Sequence, residues 1–202
     1  MRVRKATYRD VGALAKMLSR AFYDDPPARW LFPDDQARHD RLEHWFRLAL
    51  KRLYLRHHHC YTTENLKAAA LWVPPGARHL GATEQLLILP RVIALFRRDS
   101  FRNLSALLGD GTTRPEEPHY YLPFMGVEPD EQGRGLGSRV LQPVLDRCDV
   151  EQLPAYLEAT AEGNVAFYER IGFEVRDTNQ LGDGPALWLM VRRPGAEPPV
   201  QG

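Results

Sequence analysis

The sequence predicts a single α/β domain, and three observations predict it. Strand-like apolar runs alternate with segments of helical spacing along most of the chain. The 202 residues suffice for one sizeable core and are too few for two comfortable ones. Hydrophobic residues at 44% and charged residues at 26% are ordinary globular usage, which argues against disorder over the body of the chain. Lys and Arg number 27 against 26 Asp and Glu, so no overall field recruits nucleic acid or an anionic membrane. Two cysteines, Cys60 and Cys148, and charges throughout MRVRKATYRDV, where a signal peptide would be apolar, point to a reducing, cytoplasmic setting. The most apolar segment, Leu86 to Phe96, is broken by Pro90 and Arg91 and is too short to span a bilayer.

The elements follow in order. VRKATYRD reads as a short strand, and Asp10 as the N-cap of a helix carrying Val11, Leu14, Leu18 and Phe22. DDPPARWLFPDD, from Asp24 to Asp35, is turn-rich; Asp34 or Asp35 caps a second helix with Leu42, Trp45, Phe46, Ala49 and Leu53 on one stripe. HCYTTE and AAALWV are strands, the second closed by Pro74 and Pro75. Apolar residues from Ala82 to Leu108 predict one or two helices, an insertion over residues 79–114 between strands. HYYLPFMGV is a strand, GSRVLQPVLDRC a helix that Pro143 bends, AYLEATA a strand and NVAFYERIGF a helix ended by Gly172. EVRDT and ALWLMVR are the last strands; the domain ends at residue 193, and 194–202 read as a disordered tail.

Between the HYYLPFMGV strand and the next helix stands QGRGLGS, with Gly133, Gly135 and Gly137 at alternate positions. A Walker A loop needs a lysine after its last glycine, and this loop has none. A dinucleotide fingerprint needs glycine at position 138, where serine stands. What remains is a run of backbone amides at a helix N-terminus, an arrangement that suits a pyrophosphate, with Arg134 adding a charge-assisted contact. A flexible turn with a glycine cap is the plainer explanation, but alternating glycines between a strong strand and a strong helix are costly for that purpose alone.

V-x-P-x-x-Q-G-R-G-L-G-S, carried by Val127, Pro129, Gln132, Gly133, Arg134, Gly135, Leu136, Gly137 and Ser138, resembles the acyl-CoA pyrophosphate loop of the GNAT N-acetyltransferase superfamily. PAYLEATAEGNVAFYERIGFEV continues the likeness, and the region from Tyr120 to Arg193 is similar in particular to the puromycin N-acetyltransferase group. The resemblance implies an α/β (α+β) fold with a mixed, mostly antiparallel sheet, helices on both faces, and two halves splayed after Val127 to admit acetyl-CoA. It implies acetyl-CoA as co-substrate, bound by Met125, Gly126, Val127, Gln132, Gly133, Arg134, Gly135, Leu136, Gly137, Ser138 and Asn164. The backbone near Phe124 to Val127 would meet the pantetheine arm and polarise the thioester carbonyl.

Asn164 and Tyr168 lie four apart on one helix and share a face with Phe167 and Ile171. In the resembled family the tyrosine protonates the departing thiolate, work that a phenol with an ordinary pKa of about 10 is suited to at neutral pH. A core tyrosine is the alternative for Tyr168, and a helix cap is an added role open to Asn164. Glu158 shares a strand face with Tyr156 and Thr160 and is the candidate general base, directly or through water; a solvent-facing glutamate is the alternative. Cys148 has no neighbour in sequence to activate it as a nucleophile.

RHHHC, Arg56 to Cys60, lacks a partner motif of zinc spacing, so no metal is expected. Asp24, Asp25, Asp34 and Asp35 flank a loop that lines the acceptor site in the superfamily, yet capping and turn formation explain them. Asp25 stands where the puromycin group has an aromatic residue. The expected function is acetyl transfer by direct attack of a small molecule's primary amine, with no nucleic acid or membrane partner, in a monomer or homodimer. A protein lysine or N-terminal acetyltransferase and a non-catalytic acyl-CoA-binding regulatory module are the alternatives.

Overall fold

The chain opens with β1 (Val3–Lys5), a single turn at Tyr8–Asp10 and α1 (Val11–Ala21). The computed structural model describes residues 1–77, 90 and 115–196, so the 79–114 insertion lies outside the described residues except for Pro90. Asp10 stands at the start of α1 but does not cap it. Its carboxylate accepts from the Thr7 amide and hydroxyl at 2.8 and 2.9 Å and from both terminal nitrogens of Arg4 at 2.8 Å. It therefore ties β1 to the turn, and the Arg4 guanidinium holds its pKa well below the usual carboxylate range.

The stretch read as turn-rich contains α2 (Pro26–Leu31), a helix the sequence reading missed. Pro26 and Pro27 fall at its first two positions, where a missing N–H costs nothing. Asp34 caps α3 (Asp35–Ala49) by accepting from the Gln36 and Ala37 amides, and α3 runs on as a π-helical turn at Leu50–Tyr54. Then come β2 (Cys60–Thr63), β3 (Ala68–Val73), β4 (Tyr120–Val127), α4 (Leu136–Glu151), β5 (Ala155–Ala159), α5 (Glu162–Glu169), β6 (Glu174–Gln180) and β7 (Ala186–Arg192). The α4 helix passes through Pro143 without a break.

These strands form one sheet in the order β1-β2-β3-β4-β5-β7-β6, antiparallel at every pairing but β4 with β5. Helices cover both faces. In β3, Ala68, Ala70 and Trp72 pack with α4, whereas Ala69 and Leu71 pack with α1 and α3. A strand buried on both sides has no polar alternation, and AAALWV reads accordingly. The described chain runs on past β7: the buried Arg192 forms a bidentate pair with Asp149 at 2.7 and 2.9 Å, and the Gly195 amide donates to the same carboxylate at 2.8 Å.

β4 is the element that shapes the site. It pairs with β5 only at Tyr120–Leu122 against Ala155–Leu157, after which the two strands part. At its start the Tyr120 amide donates toward β5, to the Pro154 carbonyl, at 2.9 Å; just past its end the Glu128 amide donates the other way, to the Lys67 carbonyl, at 2.8 Å. An even number of residues separates the two, so an unbroken strand would turn both amides to the same side. The register against β3 slips by one between the Val73–Tyr121 and Leu71–Phe124 pairs, a β-bulge at Leu122 and Pro123. A bulge also tolerates proline, which cannot donate to the ladder. Beyond it Phe124 and Gly126 face β3 with their amides, and Met125 and Val127 turn theirs into the opening between β4 and β5.

Candidate active site

That opening is the mouth of a cavity of about 540 Å³. Its floor is Met125, Gly126 and Val127, and one wall is the loop and first turn of α4, with Gln132, Gly133, Gly135, Leu136, Gly137 and Ser138. Asn164, Phe167 and Tyr168 of α5, with Arg170 just after it, form a second wall; Glu158 and Ala159 of β5, Thr160 beyond them, and Phe22 and Asp25 before α2 close the far end. The rings of Phe22 and Phe46 meet Phe124 edge-on at 5.6 and 5.2 Å, which braces the bulged half of β4 from behind.

The loop turns on glycines in the left-handed region and ends at a helix N-terminus. Gly133 and Gly135 have φ of +74° and +73° with open space where a side chain would project, so conformation and not crowding requires glycine there. Gly135 is the N-cap of α4, and the amides just after it have no intrahelical partner. Gly137 is glycine for a different reason: a Cβ would stand 3.2 Å from the Phe167 ring and 3.5 Å from Met125. Unpaired amides at a helix N-terminus are donors of the kind that suit a diphosphate, and the same cavity is lined by Tyr168.

Of the predicted binding residues, Arg134 is the one outside the cavity lining; it is exposed and pairs with Glu131 at 2.7 Å. Gln132 donates from its side chain to the Val127 carbonyl at 3.3 Å. Asn164 lines the cavity from the third position of α5, whose N-cap is Ala161, so the capping role open to Asn164 is not the one it has. Arg170, at the end of α5, is a lining cation that the sequence reading passed over.

Tyr168 is 8% exposed and packs edge-on to Phe167 and Phe173. Burial, helped by the negative charge of Asp25, raises its phenol well above the ordinary 10. Glu158 is no free surface glutamate: its two oxygens accept from the Tyr121 and Tyr156 hydroxyls at 2.8 and 2.9 Å. Cys148 is fully buried on α4, and burial pushes its thiol to about 12, which leaves it inert.

The acid that sequence reasoning discounted stands in the same cavity. Asp25 accepts a hydrogen bond from the Thr160 hydroxyl, and burial raises its carboxyl from 3.8 to about 6 against the opposing pull of Thr160 and the Ala28 amide. Its position is pinned from two sides. The buried Arg38 of α3 donates to the Phe32 carbonyl at 2.7 Å and pairs with Asp35, fixing the end of α2. On the other side Trp30 packs so closely on the β6–β7 hairpin that a Cβ on Gly184 would fall 2.6 Å from its ring. The available signal was an acid directly before two prolines; the partner Thr160, 135 residues away, was not legible.

Among the described residues no group of three or more His, Cys, Asp or Glu side chains is placed to hold a metal ion. No helix among them is long and apolar enough to cross a membrane.

The model of the Acetyltransferase (GNAT) family matches residues 93–173, which carry β4, the loop, α4, β5 and α5. An uncharacterized N-acetyltransferase of Schizosaccharomyces pombe is 33% identical over 85 residues, 41% of this chain and 34% of that one, so the chain spans about a third of that relative. Among solved structures, a Corynebacterium glutamicum protein described as histone acetyltransferase HPA2 and related acetyltransferase superposes with a TM-score of 0.71 at 24% identity, covering 96% of each chain. The polyamine N-acetyltransferase of Drosophila melanogaster, which forms N-acetylagmatine, gives a TM-score of 0.60 at 14% identity over 95% of this chain and 99% of that one. The fold is that of the solved GNAT acetyltransferases, and residues 93–173 match the model of that family.

Proposed function

We propose that the protein is an acetyl-CoA-dependent N-acetyltransferase that acetylates a primary amine of a small molecule by direct attack. The observation that carries this reading is one continuous cavity with the glycine loop at one end and two carboxylates and a phenol at the other. The amides after Gly133 and Gly135 would hold the diphosphate, and the cleft-facing amides of Met125 and Val127 would take the pantetheine arm and the thioester oxygen. When bound, acetyl-CoA supplies an activated acetyl carbon. Arg134 would reach the phosphates by leaving Glu131, an exchange between exposed groups that costs little.

The rest falls to the side chains at the far end. Glu158, fixed by two tyrosine hydroxyls, is a negative charge that draws an ammonium toward the cleft and orients it. Tyr168 donates its proton toward the departing sulfur. Cys60 and Cys148 are both buried with thiols pushed up to about 12, so neither serves as a nucleophile and the amine attacks directly. A polyamine-acetylating neighbour is in keeping with a small-molecule acceptor, and the neighbour described as a histone acetyltransferase makes a protein lysine the second reading. The two carboxylates and the phenol count against a module that only binds acyl-CoA.

The test is thiol release from acetyl-CoA by the purified protein with spermidine, agmatine, puromycin, an aminoglycoside, amino acids and a lysine peptide. Release that depends on one small amine class supports the reading. Release driven only by the peptide moves the acceptor to protein, and binding of acetyl-CoA without release under any amine overturns it.

A further inference from the structure

The proton circuit has a gap that Tyr168 cannot close alone. A phenol raised above its ordinary value beside a carboxylate is a poor acid for a thiolate whose parent thiol has a pKa of about 8.5. Glu158 has both oxygens engaged by tyrosine hydroxyls. Asp25 is the carboxylate whose charge acts on Tyr168; it lines the same cavity and is tethered to Thr160 just past β5.

We infer that Asp25 takes the proton from the attacking amine and returns it through Tyr168 to the departing sulfur. This rests on the acetyl-transfer reading and assigns its acid–base pair. In balance, the nitrogen of a neutral amine forms the C–N bond and the C–S bond breaks. The nitrogen's N–H proton goes to an Asp25 oxygen directly or through one water, the Tyr168 O–H proton goes to sulfur, and protonated Asp25 restores the phenol. An amine arriving as the ammonium first releases one further proton to solvent. The net transfer runs downhill from a carboxyl near 6 to a thiolate near 8.5, and the reprotonation by Asp25 offsets the uphill donation from the phenol.

The charged and titratable groups that share the cavity lining with Asp25 are Glu131, Glu158, Tyr168 and Arg170, and Asp24 and Arg29 stand near it in sequence. Thr160 is the handle that separates catalysis from structure. Its hydroxyl lowers the Asp25 pKa, so Thr160→Val moves that pKa upward without removing the carboxylate.

The experiment measures kcat/KM against pH for the wild type, Asp25→Asn, Thr160→Val, Tyr168→Phe and the Asp25→Asn/Tyr168→Phe double variant, using whichever probe amine of the panel drives release. Beside it, carboxyl-carbon NMR follows the titration of Asp25. The expected result is an acid limb near pH 6 in the wild type, matching the Asp25 titration and moved to higher pH in both readouts by Thr160→Val. Asp25→Asn is expected to lose the limb and about 100-fold or more in kcat. The double variant is expected to be within about threefold of the slower single, because the two groups act as a unit. An Asp25→Asn protein that keeps the limb and a rate within about threefold of wild type overturns the inference while leaving acetyl transfer in place. Losses that multiply in the double variant overturn the relay. No release by the wild type with any probe overturns the acetyl-transfer reading, and the role of Asp25 with it.

Discussion

Replacing Asp25 by Asn should make the protein more stable at pH 8 while disabling it. The carboxyl keeps its proton up to about pH 6 in the folded chain against 3.8 for an ordinary aspartate. Between those values the folded state binds the proton more tightly than the unfolded one, so stability falls as pH rises through the window and the loss is complete above it. From 3.8 to about 6, at about 1.4 kcal/mol per pH unit, the ionised carboxylate costs about 3 kcal/mol. Asparagine has nearly the same shape, still accepts from Thr160, and carries no charge to desolvate. Urea unfolding at pH 8, 6 and 4 should therefore show the Asn variant ahead by about 1–3 kcal/mol at pH 8, with the gap narrowing steadily toward pH 4. A variant that is equal or weaker at pH 8, with the same pH dependence as wild type, would refute the claim that Asp25 is held ionised against its surroundings. Such a cost, carried by a residue pinned through Arg38, Trp30 and Thr160, is the pattern of a site that trades stability for chemistry.

Three further outcomes follow from the geometry. Glu158→Gln should cut kcat/KM for the amine by about tenfold or more, while calorimetry finds acetyl-CoA affinity within about twofold of wild type, because the lost charge faces the acceptor end. Gly135→Ala should weaken acetyl-CoA binding by about tenfold and cost about 1 kcal/mol in unfolding experiments, since its φ of +73° strains any side chain although space is open. Gly126→Ala should instead cost about 1–3 kcal/mol through packing, as its Cβ would meet Leu18 at 2.8 Å, Ala21 at 3.1 Å and Phe22 at 3.2 Å.

How legible the fold was depended on whether the governing contact was local. The strands from HCYTTE to ALWLMVR and the helices after Asp34 and after the glycine loop were readable because apolar spacing and caps are short-range signals. α2 was not, since a six-residue helix opening on two prolines is indistinguishable from a turn without Trp30's packing against the β6–β7 hairpin. The bulge at Leu122 and Pro123 hides for the same reason: YYLPFMGV shows a proline, but only the register against β3 reveals that the strand changes face there. At the site the pattern repeats. Gly133, Gly135, Asn164, Tyr168 and Glu158 were found by motif and spacing and all line one cavity. Asp10 was read as a cap and Asp25 as a cap or turn former; Asp25 does stand at the N-cap of α2 and meets the Ala28 amide, but the Arg4 partner of Asp10 and the Thr160 partner of Asp25 were not legible. Arg134 was placed on the phosphate by its position in the motif; its pairing with Glu131 depends on a side-chain geometry that spacing does not encode.

The central claim, that this cavity transfers an acetyl group with Tyr168 as the proton donor, is tested most directly by Tyr168→Phe. Thiol release with a productive amine and acetyl-CoA affinity by calorimetry should be measured on the same preparation. The account predicts that release falls by about 100-fold or more while affinity stays within about twofold, because the phenol acts only as the C–S bond breaks. Release at the wild-type rate across the pH range would contradict it.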